Sequence, residues 1–100
     1  MTDIKAIQIA LGEHFRSPVT VRTLEAAGRS KTVVRAKHAG VYLAHQDGHG
    51  NDEIARAFGY EDGHSVSNIF SRVKAKVEED SSFRQDLLDL AEKLSIHCDL

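Results

Sequence analysis

The chain predicts an all-α fold of about six helices, two of them forming a helix-turn-helix. Three observations carry this expectation. Apolar residues recur at helical spacing, with no alternating strand pattern. Only one Pro and seven Gly interrupt 100 residues. Cap and turn residues punctuate the periodic stretches, at Ser17-Pro18, Gly28, Asp47-Gly48-His49-Gly50 and Phe58-Gly59. A chain of 100 residues supports one modest core, so a single domain over residues 1–100 is expected.

The elements follow in order. A first helix runs from about Asp3 to Phe15 with Ile4, Ile7, Leu11 and Phe15 inward, and Ser17-Pro18 breaks it. Thr20 caps a short second helix, with Val21 and Leu24 inward and Gly28 as its stop. The basic loop Arg29-Ser30-Lys31 leads to Thr32, the expected cap of a third helix that carries Val34, Val41 and Leu43 inward to about Gln46. Gly40 lowers helix propensity there and marks a close helix crossing. A fourth helix spans about Asn51 to Phe58 with Ile54 and Phe58 inward, and Glu53 suits a capping acid three residues after Gly50. The fifth runs from about Gly63 to Glu78 behind the cap Asp62. The sixth starts near Ser81 or Ser82 with Phe83, Leu87, Leu90, Ala91 and Leu94 inward.

The fifth helix is the most informative. Val66, Ile69, Phe70, Val73 and Val77 make one apolar stripe. At about 100° per residue the opposite face carries His64, Asn68, Ser71 and Ala75. These groups are small or hydrogen-bonding, as a groove-reading surface requires. Arg72 and Lys74 flank that face, where they can reach the two phosphate backbones. No acid occurs between Gly63 and Val77, although the chain has 15 acids against 13 bases. A helix-turn-helix presents the start of its second helix to the major groove.

A net charge of −2 does not oppose this, because the charges are segregated. Residues 16–38 carry Arg16, Arg22, Arg29, Lys31, Arg35 and Lys37 against Glu25 alone. Residues 78–100 carry Glu78, Glu79, Asp80, Asp86, Asp89, Glu92 and Asp99 against Arg84 and Lys93. A basic middle beside an acidic tail suits a one-sided DNA surface. No apolar run and no leader suggests a membrane or export, so a cytoplasmic, nucleoid-associated protein is expected. Cys98 is the single cysteine, an incidental free thiol.

With these elements placed, the chain resembles the C-terminal DNA-binding domain of the bacterial replication initiator DnaA. Val33-Val34-Arg35-Ala36-Lys37-His38 looks like the basic segment that opens that family's central helix. Glu53-Ile54-Ala55-Arg56-Ala57-Phe58-Gly59 looks like its Glu-Ile-Gly-x-Ala-Phe-Gly. Glu61-Asp62-Gly63-His64-Ser65-Val66 stands where it has Arg-Asp-His-Thr-Thr-Val, and Glu78 to Leu87 resembles its acidic last linker and helix. The resemblance implies a Trp-repressor-like helical fold and double-stranded DNA as partner. It implies base contacts from Gly63, His64 and Ser65, and an Arg35 that enters the minor groove. The family's base-reading His-Thr-Thr is Gly-His-Ser here, so a different binding sequence is implied. No G-x-x-x-x-G-K-[ST] loop is present, so an ATPase is not expected. Similar detached domains occur in small regulators, including activators of gene-transfer-agent clusters, and the initial Met suggests a free-standing protein.

The candidate DNA-contacting set is therefore Arg29, Lys31, Arg35, Lys37, Asp62, Gly63, His64, Ser65, Ser67, Asn68, Ser71, Arg72 and Lys74. No catalytic residue, cofactor, metal or small-molecule substrate is expected. His45, His49 and Glu53 have ligand-like spacing, but Gly48 and Gly50 argue for solvated turn histidines instead. His14 and His97 are expected to be partly exposed. Leu88 and Ile96 point away from the apolar stripe of helix six, as scattered surface residues or as part of a docking patch. A sequence-specific transcription regulator that recruits RNA polymerase or a companion activator is the leading expectation. A replication role at an origin, or competition for initiator sites, is the alternative. A protein-interaction adaptor on a relic helix-turn-helix is the third.

Overall fold

Side-chain caps and glycine stops divide the chain into six helices among the described residues, which in this computed structural model are 1–28 and 30–100. They are α1 (Ile4–Phe15), α2 (Val21–Glu25), α3 (Lys31–Gln46), α4 (Asn51–Ala57), α5 (Gly63–Glu79) and α6 (Ser81–Leu94). The all-α expectation holds. Asp3 caps α1 through the Lys5 N–H. Thr20 and Thr23 cap α2 reciprocally. Asp80 ends α5 and caps α6, accepting from the Phe83 N–H at 2.9 Å.

Three boundaries differ from expectation. α2 stops at Glu25, before Gly28. α3 begins at Lys31 behind Ser30, so Thr32 is inside the helix rather than its cap. Glu53 makes no cap, because its carboxylate is drawn to His49 at 2.8 Å.

α3 packs against every other helix. Its inward stripe is Val33, Ala36, Lys37, Gly40, Leu43 and Ala44, which is the i, i+3, i+4 spacing of a buried helix face. Val33 rather than Val34 is therefore the core residue of the first turn. A Cβ at Gly40 would stand 2.4 Å from the Phe58 ring, so the glycine does mark a close crossing.

Both chain ends are tied down. The Thr2 N–H donates to Asp47 Oδ2 at 2.6 Å, and its hydroxyl to the Leu94 carbonyl at 3.2 Å. Ser95 is left-handed (φ 56), which lets the Ile96 N–H reach back to the Ala91 carbonyl at 2.9 Å. Ile96 consequently enters the core at 5% exposure. It is not a surface residue, and with it goes half of the expected apolar patch on α6.

Candidate nucleic-acid interface

The turn between α4 and α5 is set by Phe58 to Asp62. Phe58 is fully buried and anchors the end of α4. Gly59 has φ +75, and a Cβ there would also lie 2.7 Å from the Ala26 carbonyl, so glycine is required on both counts. The Tyr60 N–H closes the turn on the Ala55 carbonyl at 2.9 Å. Asp62 then caps α5, accepting from the N–H groups of His64 and Ser65 at 3.0 and 3.3 Å.

Burial of Val66, Ile69, Val73 and Val77 fixes the rotation of α5. Phe70 is half-buried at the edge of this stripe, stacked on Tyr42 with ring centroids 5.1 Å apart and tilted against His45 at 4.0 Å. His64, Ser67, Asn68, Ser71, Arg72 and Lys74 are consequently exposed together on one helix, and Ser65 is half-buried. Asp62 is exposed, with its side chain used as the cap.

Gly63 sits elsewhere. A Cβ on it would stand 2.9 Å from Asn51 Cβ and 3.1 Å from Asp52 Oδ1. It lets the start of α5 close on the start of α4. The same seam places Asn51 Nδ2 on Ser67 Oγ at 3.1 Å. Asn51 was absent from the candidate set, and nothing in its sequence context marked it.

The basic segment is rearranged most. Arg35 lies inside α3, one turn from its start. Its guanidinium reaches Asp86 Oδ2 at 3.2 Å and Asp80 Oδ2 at 3.1 Å, and its Cζ sits 4.9 Å from the centroid of the Phe83 ring. Asp86 in turn holds His14 Nε2 at 2.9 Å. Arg35 therefore ties α3 to α6, with its guanidinium already paired instead of free. Lys37 is 3% exposed, and its Nζ donates to the Ala26 carbonyl beneath Tyr60. Burial lowers the proton affinity of this ammonium, and the group is not presented to a phosphate. Its place in the inward stripe of α3 was legible in the 3.6-residue period. Lys31 is exposed on the first turn of α3. Arg29 falls outside the described residues.

Lys76, outside the candidate set, is exposed on α5 one turn after Arg72.

His49 corrects the expectation of solvated turn histidines. It is 8% exposed, with Nδ1 at 2.8 Å from Glu53 Oε1 and Nε2 at 2.7 Å from the Thr2 carbonyl. Among the described residues no three His, Cys, Asp or Glu side chains are placed to hold a metal. Nor, among them, is any helix long and apolar enough to cross a membrane.

These elements define an all-helical domain in which a short helix, a glycine turn and a capped, acid-free helix face form one exposed unit. No family model matches the chain. It is 32% identical over 85 residues to the chromosomal replication initiator protein DnaA of Gluconobacter oxydans, a match covering 84% of the chain and 17% of that protein. It is 27% identical over 92 residues to DnaA of Streptococcus agalactiae, covering 91% of the chain and 20% of that protein. With DnaA of Wolinella succinogenes it shares 31% over 72 residues, covering 71% and 16% respectively. The chain thus spans a fifth or less of the curated relatives it matches. Similarity over most of its length, together with the all-helical fold, makes it a DnaA C-terminal-domain-like unit and supports a DNA-binding domain.

Proposed function

We propose that the chain is a sequence-specific double-stranded DNA-binding protein that regulates transcription, with α4 and α5 acting as a helix-turn-helix. The observation that carries this is the outward face of α5. His64, Asn68 and Ser71 stand exposed with no acid between Gly63 and Val77, and Arg72 and Lys74 are exposed on its two edges. A major groove is wide enough for this helix, and Asn68 and His64 offer donors and acceptors to base edges. Ser65, Ser67 and Lys31 border the face and suit backbone contacts. Asp62 contributes by capping α5, which orients its first turn. The role is non-catalytic and nucleoid-associated, and output passes through recruitment of RNA polymerase or a companion activator.

A second reading, binding at an origin or competing for initiator sites, is favoured by the similarity to replication initiator proteins. Chromatin capture with sequencing separates the two. Peaks at promoters support transcription control, peaks confined to an origin support the second reading, and no enrichment overturns both.

A further inference from the structure

A side-chain hydrogen bond joins the first residue of α4 to the outer half of α5. Asn51 Nδ2 donates to Ser67 Oγ at 3.1 Å. Gly63 permits the approach, because it lies one turn before Ser67 on the same row of α5 and a Cβ there would stand 2.9 Å from Asn51 Cβ. Asn51 is half-buried in the seam, whereas Ser67 is exposed. Among the described residues neither side chain makes another hydrogen bond.

The direction of this bond decides what the pair offers to a ligand. A carboxamide carries two N–H donors, so one remains on Asn51 after Ser67 takes the other. Ser67 accepts through its oxygen, which leaves its own O–H to donate. A serine inside a helix can spend that hydrogen on the carbonyl four residues back, but Ser67 makes no such bond to Gly63. Two free donors, one from each helix, therefore stand side by side. A base edge in the major groove mixes donors with acceptors, whereas the non-bridging oxygens of a phosphate only accept. The acids nearby set the character of the contact. Asp62 has its carboxylate on the N–H groups of His64 and Ser65 at 3.0 and 3.3 Å, and Asp52 is exposed beside Gly63. Two neutral donors in such surroundings supply little attraction, but they fix where a backbone lies.

We propose that Asn51 and Ser67 together hold one phosphate of the DNA backbone at the edge of the groove that α5 reads. Ser67 donates its hydroxyl to the phosphate. Asn51 donates its second N–H and is also a positioning residue, since its first N–H occupies the Ser67 oxygen and turns the hydroxyl hydrogen outward. The proposal rests on the reading of α4 and α5 as a helix-turn-helix. Because the bridge runs from α4 to α5, it ties the depth and register of the groove-reading helix to a backbone contact made jointly with its neighbour.

The test is duplex binding by fluorescence anisotropy, on the best site from a random-duplex selection and on copies of it that each carry one neutral methylphosphonate linkage. Wild type is compared with Asn51→Ala, Ser67→Ala, the double variant and Asn51→Asp, with melting temperature as the control for folding. Each alanine variant should bind about two- to tenfold more weakly, the range that loss of a hydrogen bond gives. The double variant should lose less than the product of the two single losses, because the groups act through one contact. One linkage should weaken wild type but cost both alanine variants less, while the other linkages cost all three proteins alike. Asn51→Asp keeps the side-chain shape, draws the Ser67 hydroxyl to its carboxylate and repels the phosphate, so it should bind less well than Asn51→Ala. The base preference of every variant should match wild type. Independent losses with no shared linkage, or an Asn51→Asp protein that binds as well as wild type, overturn the bridge and leave the DNA-binding reading standing. A relaxed preference at one base pair in either alanine variant makes the pair a base reader and overturns the phosphate contact. Absence of duplex binding by wild type at low salt overturns the helix-turn-helix reading and the bridge with it.

Discussion

Gly40 lies directly beneath Phe58: a Cβ on the glycine would stand 2.4 Å from Phe58 Cε1 and 2.7 Å from Leu11 Cδ1. Phe58 and Leu11 are both fully buried, so neither ring nor methyl has room to retreat. Because Phe58 ends α4, this contact sets the height of the whole α4–turn–α5 unit above α3.

Gly40→Ala should therefore destabilise the fold. Alanine gains about 1 kcal/mol of helix propensity, but overpacking a filled core costs about 1–3 kcal/mol and should win. The expected result is a lower urea midpoint with an unchanged m-value. Adding Phe58→Leu should restore part of the loss, and the coupling between the two substitutions reads the contact itself. A Gly40→Ala protein as stable as wild type would show that α3 and α4 sit further apart.

Arg35→Ala should act on stability rather than on base choice. It removes hydrogen bonds to the half-buried Asp86, worth about 1 kcal/mol, and frees that carboxylate for His14 alone. The urea midpoint should fall, and the variant should bind A·T-flanked and G·C-flanked duplexes with the same ratio as wild type. Asp80 adds a pH signature. Its carboxyl is held below its usual range by the Phe83 N–H and then by Arg35. A lowered folded value contributes stability above the unfolded value of 3.8 that is lost as pH falls through the folded one. Arg35→Ala should blunt this acid sensitivity. A selective loss on A·T-rich flanks would instead restore a minor-groove role.

His49 predicts the opposite pH trend at the N-terminal strap. Burial disfavours its charge, but the Glu53 bond, the Thr2 carbonyl and the charges of Glu53 and Asp47 outweigh burial and hold it above its ordinary value. Both ring nitrogens face acceptors, so the doubly protonated ring satisfies both. A raised folded value contributes stability that is complete below the unfolded value of 6.5 and fades as pH rises through the folded one. Melting temperature should decline above that window in wild type and stay flat there in His49→Gln. Equal slopes for the two proteins would mean the imidazole is neutral in the fold.

The helices and the rotation of α5 were legible in the sequence because both are local. A 3.6-residue stripe and an Asp cap need no knowledge of partners, and Val66 to Val77 bury as their spacing demands. Gly40 was legible for the same reason, as a propensity cost that needs a packing cause. The basic segment was legible only in part. The period of α3 already put Lys37 inward beside Val33 and Gly40, and its charge obscured that signal. Arg35 could not be placed without knowing that Asp80 and Asp86, some 45 and 51 residues away, fold back onto it. The buried state of His49 depends likewise on Thr2, 47 residues distant.

Asn68 provides the sharpest test of the outward face. It is exposed in the middle of the acid-free stretch of α5, and no side-chain hydrogen bond within the described fold uses it. Asn68→Ala should leave the melting temperature within about 2–4 °C of wild type, as surface substitutions usually do. An asparagine amide pairs bidentately with adenine N6 and N7 in the major groove. On the best site from a selection on random duplexes, the substitution should cost about 1–3 kcal/mol and relax preference at one base pair. Its salt slope should not change, because no charge is removed. Ser71→Ala, one turn along the same face, serves as the comparison, since a single hydroxyl discriminates less than a bidentate amide. An equal loss on every sequence would make Asn68 a backbone contact. Retained affinity and retained preference together would place base reading on another part of the surface.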